Sequence, residues 1–200
     1  MRAAAVKKRT RPGKKPEIIA LATEAFSELG YSAASLRDIG QRAGVTAASL
    51  YHHFDSKEDL LRSIVMDGCD RLAAALRAEL ETPVDAGARL ENVVRAHIGF
   101  ICENKHVTQI ILEEAHFLGE GDFATVRQQQ YAILDIYRAC LTEMRAAGKI
   151  GDETDVTTTA FLIISVVNGF NRWFRPSGKM KLGQAVDRAV DFIMGGLHVA

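Results

Sequence analysis

Apolar side chains recur along this chain with the period of a helix almost from end to end. Pro16 stands where a first helical turn tolerates it. After it Ile18, Leu21, Ala22, Ala25, Phe26 and Leu29 fall at three- and four-residue spacing until Gly30 closes the run. Ser35, with Asp38 three residues on, reads as a carboxylate form of the capping box, opening a helix whose apolar side is Leu36, Ile39 and Ala43. Gly44 supplies a left-handed helix end, and Thr46 caps a short helix that carries Leu50 and Phe54 inward. The pattern predicts three helices in about 40 residues.

Ser56, paired with Asp59, starts a long helix that runs to about Leu80 and is broken by Thr82-Pro83. Five further helices are predicted over Asp85–Asn104, His106–Leu118, Asp122–Ala147, Val156–Phe174 and Leu182–Leu197. No stretch alternates like a strand, and no internal repeat is present. The fold class is therefore all-α, with nine helices grouped as three plus six. The third and fourth helices join without a linker, so a rigid rod leaves the first group and enters the second.

Composition changes this picture less than charge does. The chain has 200 residues, 48% hydrophobic and 25% charged, and a formal net charge of zero. The balance is uneven, with 11 basic against 7 acidic residues over 1–63 and 14 against 18 over 64–200. Residues 1–15 hold Arg2, Lys7, Lys8, Arg9, Arg11, Lys14 and Lys15 with no acid, and read as a disordered basic arm. A basic first third joined to an acidic remainder suits a nucleic-acid module fused to something else. Cys69, Cys102 and Cys140 are far apart and form no CxxC pair, so reduced thiols in a cytoplasm are expected rather than a zinc site or a disulfide framework. The N-terminus lacks the apolar segment of a secretory signal, and the run Ala160–Val167 is far shorter than the ~20 residues of a membrane span.

The helix pair joined at Gly44 reads as a helix-turn-helix with a DNA-facing second helix. Small residues at the front of that helix allow close approach to a groove, and Tyr51, His52 and His53 can reach phosphates. Its lack of long polar side chains favours apolar contact with thymine methyls and readout of DNA shape.

These residues carry a resemblance to a known family. The stretch Phe26-Ser-Glu-Leu-Gly30-Tyr31, then Ser35-Leu-Arg-Asp-Ile-Gly40, Ala43-Gly44-Val45, Leu50-Tyr51-His52-His53-Phe54 and Ser56-Lys57-Glu58-Asp59-Leu60-Leu61 resembles the tetracycline-repressor (TetR) family of bacterial transcription regulators. The resemblance spans about 50 residues with its spacing intact; the rest agrees in architecture and length. It implies that Thr46, Ala47, Ala48 and Ser49 sit at the major-groove end of the recognition helix. Tyr51, His53 and Lys57 then hold backbone-contacting positions beside His52, and Arg37 contributes from the preceding helix. It further implies a homodimer on double-stranded operator DNA, built through the last two helices, and release by an inducing small molecule held in the C-terminal unit.

The segment Asn168-Gly-Phe170-Asn171-Arg172-Trp173-Phe174-Arg175-Pro176-Ser-Gly178 holds the chain's only Trp. It is similar to a segment of TetR-type regulators that answer acyl-CoA thioesters from lipid, sterol or aromatic catabolism. That reading has Arg172 or Arg175 meeting phosphates and Trp173 stacking on adenine. The competing reading is a helix end buried in the dimer interface. Phe100, Phe117, Tyr131, Asn168, Asn171, Trp173 and Arg175 form the candidate ligand set. Glu103, Glu113 or Glu114 could instead neutralise a cationic drug, as in multidrug-responsive members of the family. Glu113 and His116 have a spacing that could place two metal ligands on one helix face, but no second motif accompanies them.

Enzyme readings lack support: GxSxG, HExxH, Walker A and GxGxxG are all absent. No cofactor, metal or membrane is expected. The expected organisation is a basic arm over 1–15, a DNA-binding unit over 16–60 and a ligand-binding and dimerisation unit over 61–200. The expected function is a cytoplasmic, nucleoid-associated repressor released by a small molecule. A multidrug or hydrophobic-ligand sensor and a non-sensing architectural protein remain the alternatives.

Overall fold

The computed structural model describes residues 15–197, and its elements are all helical. They are α1 (Lys15–Leu29), α2 (Leu36–Arg42), α3 (Ala47–Tyr51), α4 (Lys57–Leu80), α5 (Ala86–Glu103), α6 (Lys105–Glu113), a 3-10 turn (Ala115–Phe117), α7 (Glu120–Ala146), α8 (Val156–Trp173) and α9 (Leu182–Leu197). The helix expected over His106–Leu118 is thus two pieces. The α-helix ends at Glu114 (φ −114°, ψ −12°), whose N–H still reaches the Ile110 carbonyl, and the last turn tightens so that Leu118 N–H reaches the Ala115 carbonyl. Apart from Lys15, the basic arm lies outside the described residues.

The helix starts follow from their caps. Ser35 Oγ accepts Asp38 N–H at 3.1 Å, and the Asp38 carboxylate accepts Ser35 N–H at 3.1 Å, closing the capping box. The Ser35 hydroxyl and amide together hold the Asp38 carboxyl below the usual carboxylate range. Thr46 and Ser56 cap α3 and α4 by accepting Ser49 N–H and Asp59 N–H at 3.1 and 3.0 Å. Gly44 turns the chain between α2 and α3 at φ +64°, a conformation that glycine adopts without strain. Asn104 separates α5 from α6, its amide Nδ2 donating back to the Phe100 carbonyl at 2.9 Å.

Two buried cores result, and α4 serves both. Leu60, Leu61, Ile64 and Val65 pack with Phe26, Ile39 and Leu50 from the first three helices and with Phe54 from the turn after α3. Further along the same helix, Leu72, Ala73 and Leu76 pack with α5, α7, α8 and α9. The first core does not stop at the first three helices: Ile110, Ala115, Leu118 and Val126 complete it from the α6–α7 side. Polar ties reinforce that junction. Ser27 Oγ donates to Gln109 Oε1 at 2.9 Å and stands 2.8 Å from His106 Nδ1, while Gly119 N–H donates to Glu58 Oε1 at 2.6 Å.

Candidate functional site

The two helices joined at Gly44 present one candidate surface. Leu50 and Phe54 are buried, so the remaining faces of α3 and its exit turn point outward. Tyr51 is 57% exposed, and Arg37, Thr46, Ala48 and His52 are exposed around it. Ser49 and His53 are half-buried, and Ala47 opens the helix. Thr46 uses its hydroxyl oxygen to cap α3, which leaves its O–H proton available. Lys57 departs from the picture of a free phosphate-seeking side chain. Its ammonium lies 4.2 Å from the centroid of the Tyr31 ring and donates to the Ser32 carbonyl at 3.3 Å, and partial burial pushes its pKa down. Arg42 pairs with Glu28 at 2.7 Å and pins α2 onto α1.

The second candidate site is a cavity of about 390 Å³ among α4 to α8. Its interior is formed by buried side chains, among them Cys69, Leu72, His97, Ile101, Thr108 and Leu134. Its opening is marked by lining residues that are also exposed to solvent: Leu112, Arg127, Gln130, Tyr131 and Phe161. Each helix contributes at helical spacing, as in Arg127, Gln130, Tyr131 and Leu134 of α7 and Phe161, Ile164 and Asn168 of α8. Arg127 is the one charged side chain in the lining, with its guanidinium 5.1 Å from the centroid of the Phe123 ring. Within the interior, the imidazole Nδ1 of His97 lies 2.8 Å from Tyr137 Oη, and burial lowers the His97 pKa from 6.5 to about 3. The same effect raises the Cys69 thiol to about 11, so it stays protonated and unreactive.

The seven candidate ligand residues divide. Phe100, Tyr131 and Asn168 line the cavity. Phe117 is turned away by the 3-10 segment and packs on Tyr31, with ring centroids 5.1 Å apart. Asn171 is buried, and its Oδ1 has no partner among the described residues. Trp173 lies five residues past Asn168, roughly 140° round the helix; it is 54% exposed and packs against Phe170 at 4.5 Å. Arg175 follows the end of α8 and folds back to donate to the Arg172 and Phe174 carbonyls at 2.6 and 3.0 Å. The structure thus leaves Trp173 and Arg175 outside the cavity lining, although Asn168 of the same segment belongs to it.

Glu113 and His116 do not converge either: Glu113 lies 3.5 Å from the Arg172 guanidinium, and the His116 ring stacks on Phe117 at 4.1 Å. Among the described residues no group of three or more His, Cys, Asp or Glu could hold a metal. None of Glu103, Glu113 and Glu114 lines the cavity. No described helix is long and apolar enough to cross a membrane.

Two family models match the chain: "Bacterial regulatory proteins, tetR family" over residues 18–64, and "Tetracyclin repressor-like, C-terminal domain" over residues 83–197. The chain belongs to the TetR family of transcriptional regulators. Members of this family are regulators rather than enzymes. The chain is 25% identical over 188 residues to the HTH-type transcriptional repressor KstR2 of Rhodococcus jostii, covering 94% of this chain and 92% of that one. It is 28% identical over 190 residues to the HTH-type transcriptional activator FasR of Mycolicibacterium smegmatis, covering 94% and 85%. The crystal structure of AibR in complex with isovaleryl coenzyme A and operator DNA superposes with a TM-score of 0.82 at 25% identity, covering 90% or so of both chains (88% and 96%). The first of these models spans the Gly44-centred surface, and the second spans every cavity-lining helix except α4.

The candidate ligand set leaves out Arg127, Gln130, His97 and Thr108, which also line the cavity. The spacing of Arg127, Gln130, Tyr131 and Leu134 was a usable signal, since it puts an arginine on the inward stripe of a long helix. His97 carried no such signal, because it sits in an apolar stripe indistinguishable from core.

Proposed function

We propose that this TetR-family protein is a cytoplasmic homodimeric repressor that leaves its operator when an amphipathic acyl thioester, of the acyl-CoA class, enters the cavity between α4 and α8. The observation that carries the reading is the division of that cavity. Its interior is buried and mainly apolar, while its opening bears the Arg127 guanidinium with Gln130 and Tyr131. An acyl chain would leave water in the interior, and phosphates would meet a guanidinium at the rim. A space of about 390 Å³ suits an acyl group and part of its carrier rather than a whole coenzyme. The superposition with AibR in its isovaleryl coenzyme A complex supports the same class. A cationic drug would meet Arg127 and no carboxylate, which disfavours the multidrug alternative, and an architectural protein has no need of the cavity.

The dimer reading is supported by apolar side chains left uncovered on α8 and α9. Leu162 is 63% and Phe192 70% exposed, and Leu162, Val166, Gly169 and Trp173 follow one another along α8 at four- and three-residue steps. Such a stripe is the surface expected to bury against a second copy. Tyr51, His52, Arg37 and the exposed front of α3 would then read operator DNA.

The test is fluorescence anisotropy on operator DNA selected from random sequence, titrated with acyl-CoAs of graded chain length and with the matching free acids. Acyl-CoA is expected to release the DNA at micromolar concentration, and Arg127→Ala to raise the required concentration several-fold. Release by free acids as readily as by the thioesters, or by none of the acyl-CoAs, would remove the acyl-CoA assignment.

A further inference from the structure

The cavity has an inner boundary as well as an opening, and that boundary divides it from a second space. A groove of about 580 Å³ runs between α1, α4 and the α5–α6 junction. Two helices supply side chains to both spaces. Asp67 and Arg71 of α4 line the groove while Cys69 and Leu72 line the cavity, and on α6 Val107 lines the groove while Ile111 lines the cavity. Along the α4–α6 seam the partition is tight, because Val107 and Ile111 both close on Gly68.

Between α4 and α5 the partition is one ring and the guanidinium behind it. Phe100 lines the cavity and is half-buried, whereas Cys69, Leu72 and Ile101 of the same lining are buried. The Arg71 guanidinium lies over the Phe100 ring, 5.6 Å from its centroid. Arg71 is fixed there from two sides. Its Nε pairs with Asp67 at 2.9 Å, and its Nη1 donates to Asn104 Oδ1 at 3.2 Å. The Asn104 amide nitrogen donates to the Phe100 carbonyl at 2.9 Å, which leaves the amide oxygen for Arg71. A cavity-lining side chain is thus backed directly by a groove-lining one.

We propose that Phe100, backed by Arg71, is the length gauge of the cavity: it sets how long an apolar chain can lie inside, and so which effectors the protein answers. This rests on the reading of the cavity as the effector site and deepens it. Each methylene that leaves water for the interior tightens binding about fourfold, and the gain ends where the chain meets a wall. Leu72, Ile101 and Leu134 belong to the main core, so a chain that pushes on them has to displace packed side chains. Behind Phe100 stands an exposed arginine instead. Truncating this ring therefore lengthens the space toward the groove, where Ile19 of α1 and Ile64 of α4 would meet the end of a longer chain.

The test uses straight-chain 1-alkanols from butanol to dodecanol, which are uncharged and carry no thioester. Binding is followed by methyl NMR at Ile101 and Leu134 of the cavity and at Ile19 of the groove. In the unaltered protein, affinity is expected to rise about fourfold per methylene, then to level off or fall, with Ile19 unshifted throughout. Phe100→Ala should move that limit to longer chains, tighten the longest alkanols about tenfold and bring Ile19 into the response. Phe100→Leu, a milder truncation, should place the limit between the two and serves if the alanine variant does not fold. An unmoved limit, equal weakening at every chain length, a shift of Ile19 by long alkanols in the unaltered protein, or failure of any alkanol to reach Ile101 would overturn the proposal. A moved limit without operator release by any acyl-CoA would keep the gauge and remove the thioester class. Release by acyl-CoAs with an unmoved limit would keep the class and remove the gauge.

Discussion

A β-carbon placed on Gly68 would stand 2.5 Å from Val107 Cγ1 and 2.8 Å from Ile111 Cδ1, so α4 and α6 touch at a position where only glycine fits. Elsewhere in a helix an alanine would stabilise by about 1 kcal/mol over glycine. Here the closest atoms belong to branched side chains in a packed seam, and the seam has to open. Gly68→Ala is expected to destabilise the protein by about 1–3 kcal/mol in urea unfolding. Adding Val107→Ala should recover part of that loss. A stabilised Gly68→Ala protein would show that the seam yields freely.

The same helix α6 faces two ways. Thr108, Ile111 and Leu112 wall the cavity, while His106 and Gln109 hold Ser27 of α1. An occupant that moved α6 would therefore pull on α1 through Ser27. His106→Ala is expected to leave operator affinity in the absence of effector within about twofold and to raise the effector concentration for half-release several-fold, a coupling change on the scale of ~1 kcal/mol. Anisotropy titrations on the two proteins read both quantities, and an unchanged half-release concentration would place the coupling elsewhere.

Local signals were legible in the sequence, and long-range ones were not. Ser35 with Asp38, Thr46, Ser56 and Gly44 set helix boundaries through contacts within four residues, and each performs that role in the structure. The tie between Glu58 and Gly119 spans 61 residues, and no pattern within either helix announces it. The break at Glu114 escaped because Ala115, His116 and Phe117 are all compatible with a continuing helix. The Trp173 segment holds neighbours in sequence that part in space: Asn168 lines the cavity, Trp173 is exposed, and Arg175 lies beyond the end of α8. Conversely, the inward stripe of α7 could be read, and an arginine within it marks a solvent-accessible cavity rather than solid core.

Arg89 clamps the end of α4. Its guanidinium donates to the Leu80, Thr82 and Val84 carbonyls at 2.5, 2.8 and 3.1 Å and pairs with Glu143 at 2.9 Å. The last carbonyls of a helix lack intrahelical partners, and this one side chain satisfies that of Leu80 together with two in the connection that follows. Lysine keeps the charge but has no planar fork to reach three carbonyls and a carboxylate together. Arg89→Lys is expected to lower stability by about 1–3 kcal/mol, read as a shift in urea midpoint with an unchanged slope. Loss of under ~0.5 kcal/mol would mean that water replaces the clamp.

His97 should make the fold sensitive to mild acid. Burial lowers its pKa from 6.5 to about 3 in the folded chain. Between those values the unfolded chain holds a proton at this position that the folded chain refuses. Stability is therefore full above pH 6.5 and is lost as the pH falls from 6.5 toward 3. At about pH 5 the loss from this one group is ~2 kcal/mol. Urea midpoints at about pH 7.5 and pH 5 test it against His97→Gln, whose amide oxygen still accepts the Tyr137 hydroxyl and whose side chain takes up no proton. The variant should be less stable at neutral pH yet lose about 2 kcal/mol less on acidification. Parallel losses in both proteins would assign the acid sensitivity to groups other than His97.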